Sequence, residues 1–74
     1  MDYKLDVTIN KDNDGFYAFC PELPGCHTQG DTIEEALENI KEAASLYLET
    51  MTKAEIKLAL NKQTLTTTIH LNVA

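Results

Sequence analysis

Apolar and polar residues alternate strictly over residues 3–10. Tyr3, Leu5, Val7 and Ile9 fall on one side, and Lys4, Asp6, Thr8 and Asn10 on the other. A period of two puts successive side chains on opposite faces of a strand, so this segment reads as a strand with one buried face. Lys11-Asp12-Asn13-Asp14-Gly15 is a turn by composition, and its Asp-Gly step supplies the positive φ that a hairpin needs. Phe16-Tyr17-Ala18-Phe19-Cys20 is the return strand. It is apolar on both faces, with Phe16, Ala18 and Cys20 on one and Tyr17 and Phe19 on the other.

Pro21-Glu22-Leu23-Pro24-Gly25 interrupts the pattern, because its two prolines fix φ, lack N–H donors and exclude a helix. Cys26-His27-Thr28-Gln29 forms a short third strand closed by Gly30. Asp31 or Thr32 then caps a helix, with capping-box spacing in Thr32-x-x-Glu35 and a further acid, Glu34, in the first turn. Ile33, Ala36, Leu37, Ile40, Ala43, Ala44, Tyr47 and Met51 recur at helical spacing, while Glu35, Glu38, Glu42 and Glu49 hold the opposite side. Thr52-x-x-Glu55 repeats the capping pattern, so residues 53–61 are either a short second helix or an extension of the first. The β-branched tail, residues 65–73, alternates again, with Leu65, Thr67, Ile69, Leu71 and Val73 sharing a face. The element order is β-β-β-α-(α)-β, an α+β chain without internal repeat or linker.

At 74 residues the chain is one small domain, 1–74. A chain of that size buries only ~60% of the surface its unfolded form exposes, so a partner or a staple is expected to supplement its core. No apolar run is long enough to span a bilayer, and the N-terminus lacks the apolar block of a signal peptide. A cytoplasmic location follows as the expectation. Twelve acids against six bases give a net charge of −6, and all six bases are scattered lysines. Nucleic-acid binders cluster Lys and Arg against phosphates, so direct nucleic-acid binding is not expected, whereas a basic protein partner suits the charge.

Candidate chemistry is sparse. Cys20 and Cys26 flank the Pro-Glu-Leu-Pro-Gly turn symmetrically; buried small hydrophobes, a disulfide and a metal site are the three readings, and a reducing cytosol favours the first. His27 and His70 have no recognisable nucleophile partner. Asp6, Glu34, Glu35, Glu38 and Glu42 are the acids that a two-metal nuclease would need to gather, yet the helical ones form an ordinary solvated stripe. No catalytic, cofactor or metal residue is therefore assigned.

The run Gly15-Phe16-Tyr17-Ala18, then Pro21-Glu22-Leu23-Pro24-Gly25-Cys26-His27-Thr28-Gln29-Gly30-Asp31-Thr32-Ile33-Glu34-Glu35-Ala36-Leu37, closely resembles the HicB-like antitoxin family. That family carries a Pro-acid-Leu-Pro-Gly-Cys segment, then Gly-Asp-(Ser/Thr) and a Glu-Glu-Ala helix. The resemblance covers nearly the whole chain from Tyr3 through the helix, and the Thr-Thr-Ile ending is also similar. It implies a partial ribonuclease-H-like fold: a four-stranded mixed sheet in the order 3-2-1-4 with one main helix on one face. It also implies a cytoplasmic, non-enzymatic antitoxin that masks HicA, a small basic toxin that cleaves mRNA. Many members add a C-terminal DNA-binding domain, and this chain is expected to lack one, leaving an operator role open.

Strand two, apolar on both faces, has one main helix to cover it, so one of its faces must look outward and homodimers or higher oligomers are expected. The rigid Pro-Glu-Leu-Pro-Gly loop would present Glu22 and Leu23 to a partner at little entropic cost. Tyr17, Phe19, Glu22, Leu23, Pro24, Asp31 and Glu35 are the candidate partner-binding residues. Two other readings stand beside the antitoxin: an orphan structural or ligand-binding module of the same fold, and a vestigial metal-dependent ribonuclease-H-like nuclease.

Overall fold

The computed structural model describes residues 3–61, 65 and 67–74. Its elements are β1 (Thr8–Asp12), β2 (Gly15–Phe19), β3 (His27–Gly30), α1 (Ile33–Glu49) and α2 (Lys53–Leu60). The three strands form an antiparallel sheet in the order β1-β2-β3. Thr8 stands opposite Phe19 and Asp12 opposite Gly15, so Asn13 and Asp14 make the hairpin loop. The Asp14 N–H donates to Oδ1 of Asp12 at 2.8 Å. Positive φ falls on Gly15 (136°), a backbone conformation that side chains with a Cβ resist.

Of the two possible caps, Thr32 is the one used: it is extended (φ −132°, ψ 165°), and its hydroxyl accepts from the Glu35 N–H at 3.0 Å. Glu35 reaches back to the Asp31 N–H at 3.4 Å. From there α1 buries Ala36, Ile40 and Ala44 on one stripe. It stops where the Thr50 hydroxyl donates to the Tyr47 carbonyl at 2.7 Å. Residues 53–60 are a separate helix, started by a complete capping box. The Thr52 N–H donates to Glu55 Oε1 at 2.8 Å, and the Glu55 N–H donates to the Thr52 hydroxyl at 3.1 Å. The Thr52 N–H, and after it the Thr52 hydroxyl, holds the Glu55 carboxyl below the usual carboxylate range.

The core lies between the sheet and α1: Ala18, Cys20, Leu23 and Cys26 meet Ala36, Ile40 and Ala44, with Leu5, Ile9, Phe16, Tyr47 and Leu48 packed around them. Small residues at the contact bring the layers close. A Cβ placed on Gly30 would sit 2.5 Å from the Ala36 nitrogen, so β3 lies directly against the first turn of α1. Asn39 strengthens that seam by donating to the Gln29 carbonyl at 2.8 Å.

The expected four-stranded mixed sheet in the order 3-2-1-4, with one main helix in a partial ribonuclease-H-like arrangement, is overturned by this three-stranded antiparallel sheet with two helices. The described part of the tail belongs to no strand, and Leu65, Ile69, Leu71 and Val73 are 91, 71, 78 and 85% exposed. Thr66, part of that expected strand, lies outside the described residues. Alternation marks a segment as suited to pairing without saying where a partner edge is. The first strand is also shorter at its start than its pattern. β2 ends at Phe19, just before Pro21, which has no N–H to offer, and the Asp6 N–H is taken by the Glu22 carboxylate at 3.1 Å instead.

Candidate partner-binding surface

The register divides the sheet into two chemically different faces. Ile9, Phe16 and Ala18 face α1 and the core. Tyr17, paired with Asn10 and Gln29, and Phe19, paired with Thr8 and His27, point to the other side. There the Tyr17 and Phe19 rings lie 5.9 Å apart at 43°, and the His27 ring stacks on Tyr17 at 5.5 Å and 26°. Such ring contacts add ~0.5–1.5 kcal/mol beyond their area and hold the side chains in fixed positions. Residues 53–60 line no part of the hollow around Tyr17, Phe19 and His27; Ile56, Lys57 and Leu60 share a hollow with Tyr3 instead. Asp12, opposite Gly15, is exposed in the same register, and Asp6, ahead of β1, is exposed as well.

The loop after β2 is anchored from within. Leu23 is fully buried, its N–H donates to the Cys20 carbonyl at 3.1 Å, and its carbonyl accepts from the Cys26 N–H at 3.0 Å. The expectation that Leu23 is offered to a partner is corrected by this: its side chain is the plug that holds the loop to the core. Two successive turns, closed by those backbone bonds, direct the apolar residue between the prolines inward where the sheet and helix leave a space. Pro24 remains exposed, and its carbonyl accepts from the Tyr47 hydroxyl at 2.9 Å, tying the loop to the last turns of α1. Glu22 is half-buried and pinned by the Asp6 N–H through both carboxylate oxygens, at 3.1 and 3.3 Å.

Tyr17, Phe19 and Pro24 therefore line one hollow with His27 at the end of the sheet where Phe19 faces His27, and Glu22 stands in the same loop, held to Asp6. Asp31 and Glu35 do not join them. They follow Gly30, which pairs with Phe16 at the opposite end of β2, and both are engaged at the start of α1. His27 is the residue that the sequence reading left out of the surface. The signal was its parity, since it follows Cys26, whose side chain turns inward.

Cys20 and Cys26 are buried free thiols bridged through the backbone, the Cys20 N–H donating to the Cys26 carbonyl at 3.1 Å. Burial, and after it the adjoining Cys26 thiol, pushes the Cys20 thiol from 9.0 up to about 11. The folded pKa is above the unfolded one, so this contribution to stability is complete below pH 9.0 and disappears as pH rises through about 11. Unfolding free energy should fall by roughly 2 kcal/mol more across that window in the natural chain than in Cys20→Ala. Urea titrations of both proteins at stepped alkaline pH measure it, and parallel profiles would contradict the assignment.

The acids that a two-metal nuclease would need are not brought together. Asp6 is exposed ahead of β1, whereas Glu34, Glu35, Glu38 and Glu42 are exposed along α1. Among the described residues, no group of three His, Cys, Asp or Glu side chains is placed to hold a metal ion. None of the described helices is long and apolar enough to cross a membrane.

These features define a small α+β domain with one sheet face packed under a helix and the other left as an aromatic platform. The chain belongs to the HicB-like antitoxins of bacterial toxin–antitoxin systems, whose family description matches residues 5–71. It is 54% identical over 50 residues to a UPF0150 protein of Synechocystis sp., a match covering 66% of this chain and 63% of that protein. A UPF0150 protein of Archaeoglobus fulgidus is 47% identical over 53 residues, covering 70% of this chain and 77% of the relative. One from Helicobacter pylori is 40% identical over 70 residues, covering 95% of this chain and 97% of its own length. No solved structure gives a significant match.

Proposed function

We propose that this chain neutralises a small, basic, mRNA-cleaving toxin of the HicA type by covering its active site, and that it does so in the cytoplasm, as a self-associating protein without catalytic activity of its own. Membership of the antitoxin family supports a toxin partner in general. The observation that carries the finer reading is the sheet face away from α1, on which the Tyr17 ring contacts Phe19 and His27, with Asp6 and Asp12 exposed in the neighbouring strand segment and Glu22 half-buried in the loop after β2. Rigid aromatics lose little entropy on docking and serve as anchors, while a rim of carboxylates draws in a cationic partner and raises the association rate. The net charge of −6 acts in the same direction and works against phosphate backbones.

The test is co-expression with the short basic protein encoded beside this chain, scored by growth and by affinity of the purified pair. The natural chain should restore growth. Phe19→Asp, which places a charge in the aromatic patch, should weaken binding by about 30-fold or more, the effect of losing one anchor residue. Leu58→Asp, on an exposed position of α2, should bind normally. Absence of both rescue and binding would reject the toxin reading, and equal binding by Phe19→Asp would reject this face as the contact.

A further inference from the structure

Cys20 and Cys26 stand opposite each other one step beyond the last paired residues of the sheet. Phe19 pairs with His27, and the next cross-strand bond runs from the Cys20 N–H to the Cys26 carbonyl at 3.1 Å. Hydrogen-bonded neighbours in an antiparallel pair have Cα atoms ~5.5 Å apart, inside the ~4.4–6.8 Å that a disulfide spans. Both cysteines are buried in the same core cluster as Ala18 and Leu23, at 3 and 5% exposure. The loop between them is folded back on both. The Leu23 N–H donates to the Cys20 carbonyl at 3.1 Å, and the Leu23 carbonyl accepts from the Cys26 N–H at 3.0 Å. Both cysteines also line an open hollow of about 270 Å³ beside Tyr17, Phe19, Pro24 and His27, which gives a small reagent a way to them.

We propose that Cys20 and Cys26 are a reversible redox site, oxidised by a low-molecular-weight disulfide such as glutathione disulfide to an intramolecular disulfide that closes a ring around residues 21–25. One thiol, as its thiolate, attacks a sulfur of the reagent and releases one reduced thiol. The second attacks the mixed disulfide at the protein sulfur and releases another. The protein gives up two electrons and two protons, and the reagent becomes two thiols. In a reducing compartment the dithiol is the resting form, and disulfides formed there are transient and redox-sensing rather than structural. Protonation of the Cys20 thiol, pushed up to about 11 by burial, slows the attack, so the equilibrium rather than the rate measures the site. The closed ring holds Glu22, Leu23 and Pro24 in place beside the aromatic face. Nothing in this site depends on the toxin or on self-association.

Equilibration of the full chain in glutathione redox buffers tests it, read by intact mass and peptide mapping after acid quenching. The natural protein should lose two hydrogens and show Cys20 linked to Cys26 within one chain, and excess reduced glutathione should restore both thiols. The closure constant should be about 30-fold or more higher in the folded chain than in the chain unfolded in urea, because a link that stabilises the fold is favoured by the fold to the same extent. Cys20→Ser and Cys26→Ser should each carry at most one glutathione and form no internal link. A natural chain that keeps both thiols at the oxidising limit would overturn the proposal. So would one that accumulates only glutathione adducts or linked pairs of chains, or one that closes no better folded than unfolded.

Discussion

Alanine at Gly30 should cost about 3 kcal/mol, a large share of the few kcal/mol that hold a chain of this size folded. The added methyl group would lie 2.5 Å from the Ala36 nitrogen and 2.9 Å from its Cα, and 3.0 Å from the Glu35 carbonyl carbon. All three are backbone atoms of the first turn of α1, so no side chain can rotate away to make room. Either β3 or the start of the helix must move, and the Asn39–Gln29 hydrogen bond and the Ala36 contact with the core go with it. Thermal unfolding should show the midpoint falling by more than about 10 °C, at ~4–8 °C per kcal/mol for domains of this size. Gly25→Ala is the informative contrast. That position has open space around its missing Cβ but a φ of 81°, so its cost is backbone strain alone, about 1 kcal/mol. If Gly30→Ala melted within about 2 °C of the natural protein, the tight packing of β3 on α1 would be wrong.

Leu23→Ala should destabilise by a similar amount, about 3 kcal/mol, the usual effect of emptying a fully buried leucine site. The loss has a second consequence. Leu23 holds the loop by its side chain, while its backbone ties Cys20 to Cys26. With the side chain gone, the amides of Leu23 and Cys26 should exchange with solvent far faster than those of Ala18, and the Tyr47–Pro24 bond should loosen. Leu23→Met, which keeps the volume, should cost less than ~1.5 kcal/mol and leave exchange nearly unchanged. Urea unfolding combined with amide exchange measures both effects. A stable Leu23→Ala protein with a protected loop would show that the prolines alone shape this segment. Under the proposed function, binding to the toxin should suffer in Leu23→Ala even under conditions where the protein is folded, because Glu22 and Pro24 flank Leu23 in the loop it anchors.

The local elements were legible because their signals are local. The Asp-Gly turn, the two Thr-x-x-Glu boxes and the 3.6-residue stripe of Ala36, Ile40 and Ala44 each involve residues within a few positions of one another. The structure places them within two residues of the pattern. The parity of β2 also correctly separated Phe16, Ala18 and Cys20 from Tyr17 and Phe19. Leu23 was misread because a proline-bracketed loop looks the same in sequence whether its central residue points out or in. The capacity of the core beneath it decides, and that capacity is set by Ala18 on β2 meeting Ala36 and Ala44 on α1, two elements distant from each other in the chain.

The sequence by itself determined the hairpin, the third strand, the long helix to within a residue at its cap and the motif by which the chain belongs to its family, since propensity, capping and periodicity act over one or two turns of chain. Only the tertiary structure decided how many strands the sheet has, that residues 53–60 stand apart on the Tyr3 side, and that His27 joins Tyr17 while Asp31 and Glu35 lie at the far end. The tail shows the reason most plainly. Its alternation is as regular as that of residues 3–10, but pairing is a property of two edges. The described tail residues have none within their own chain.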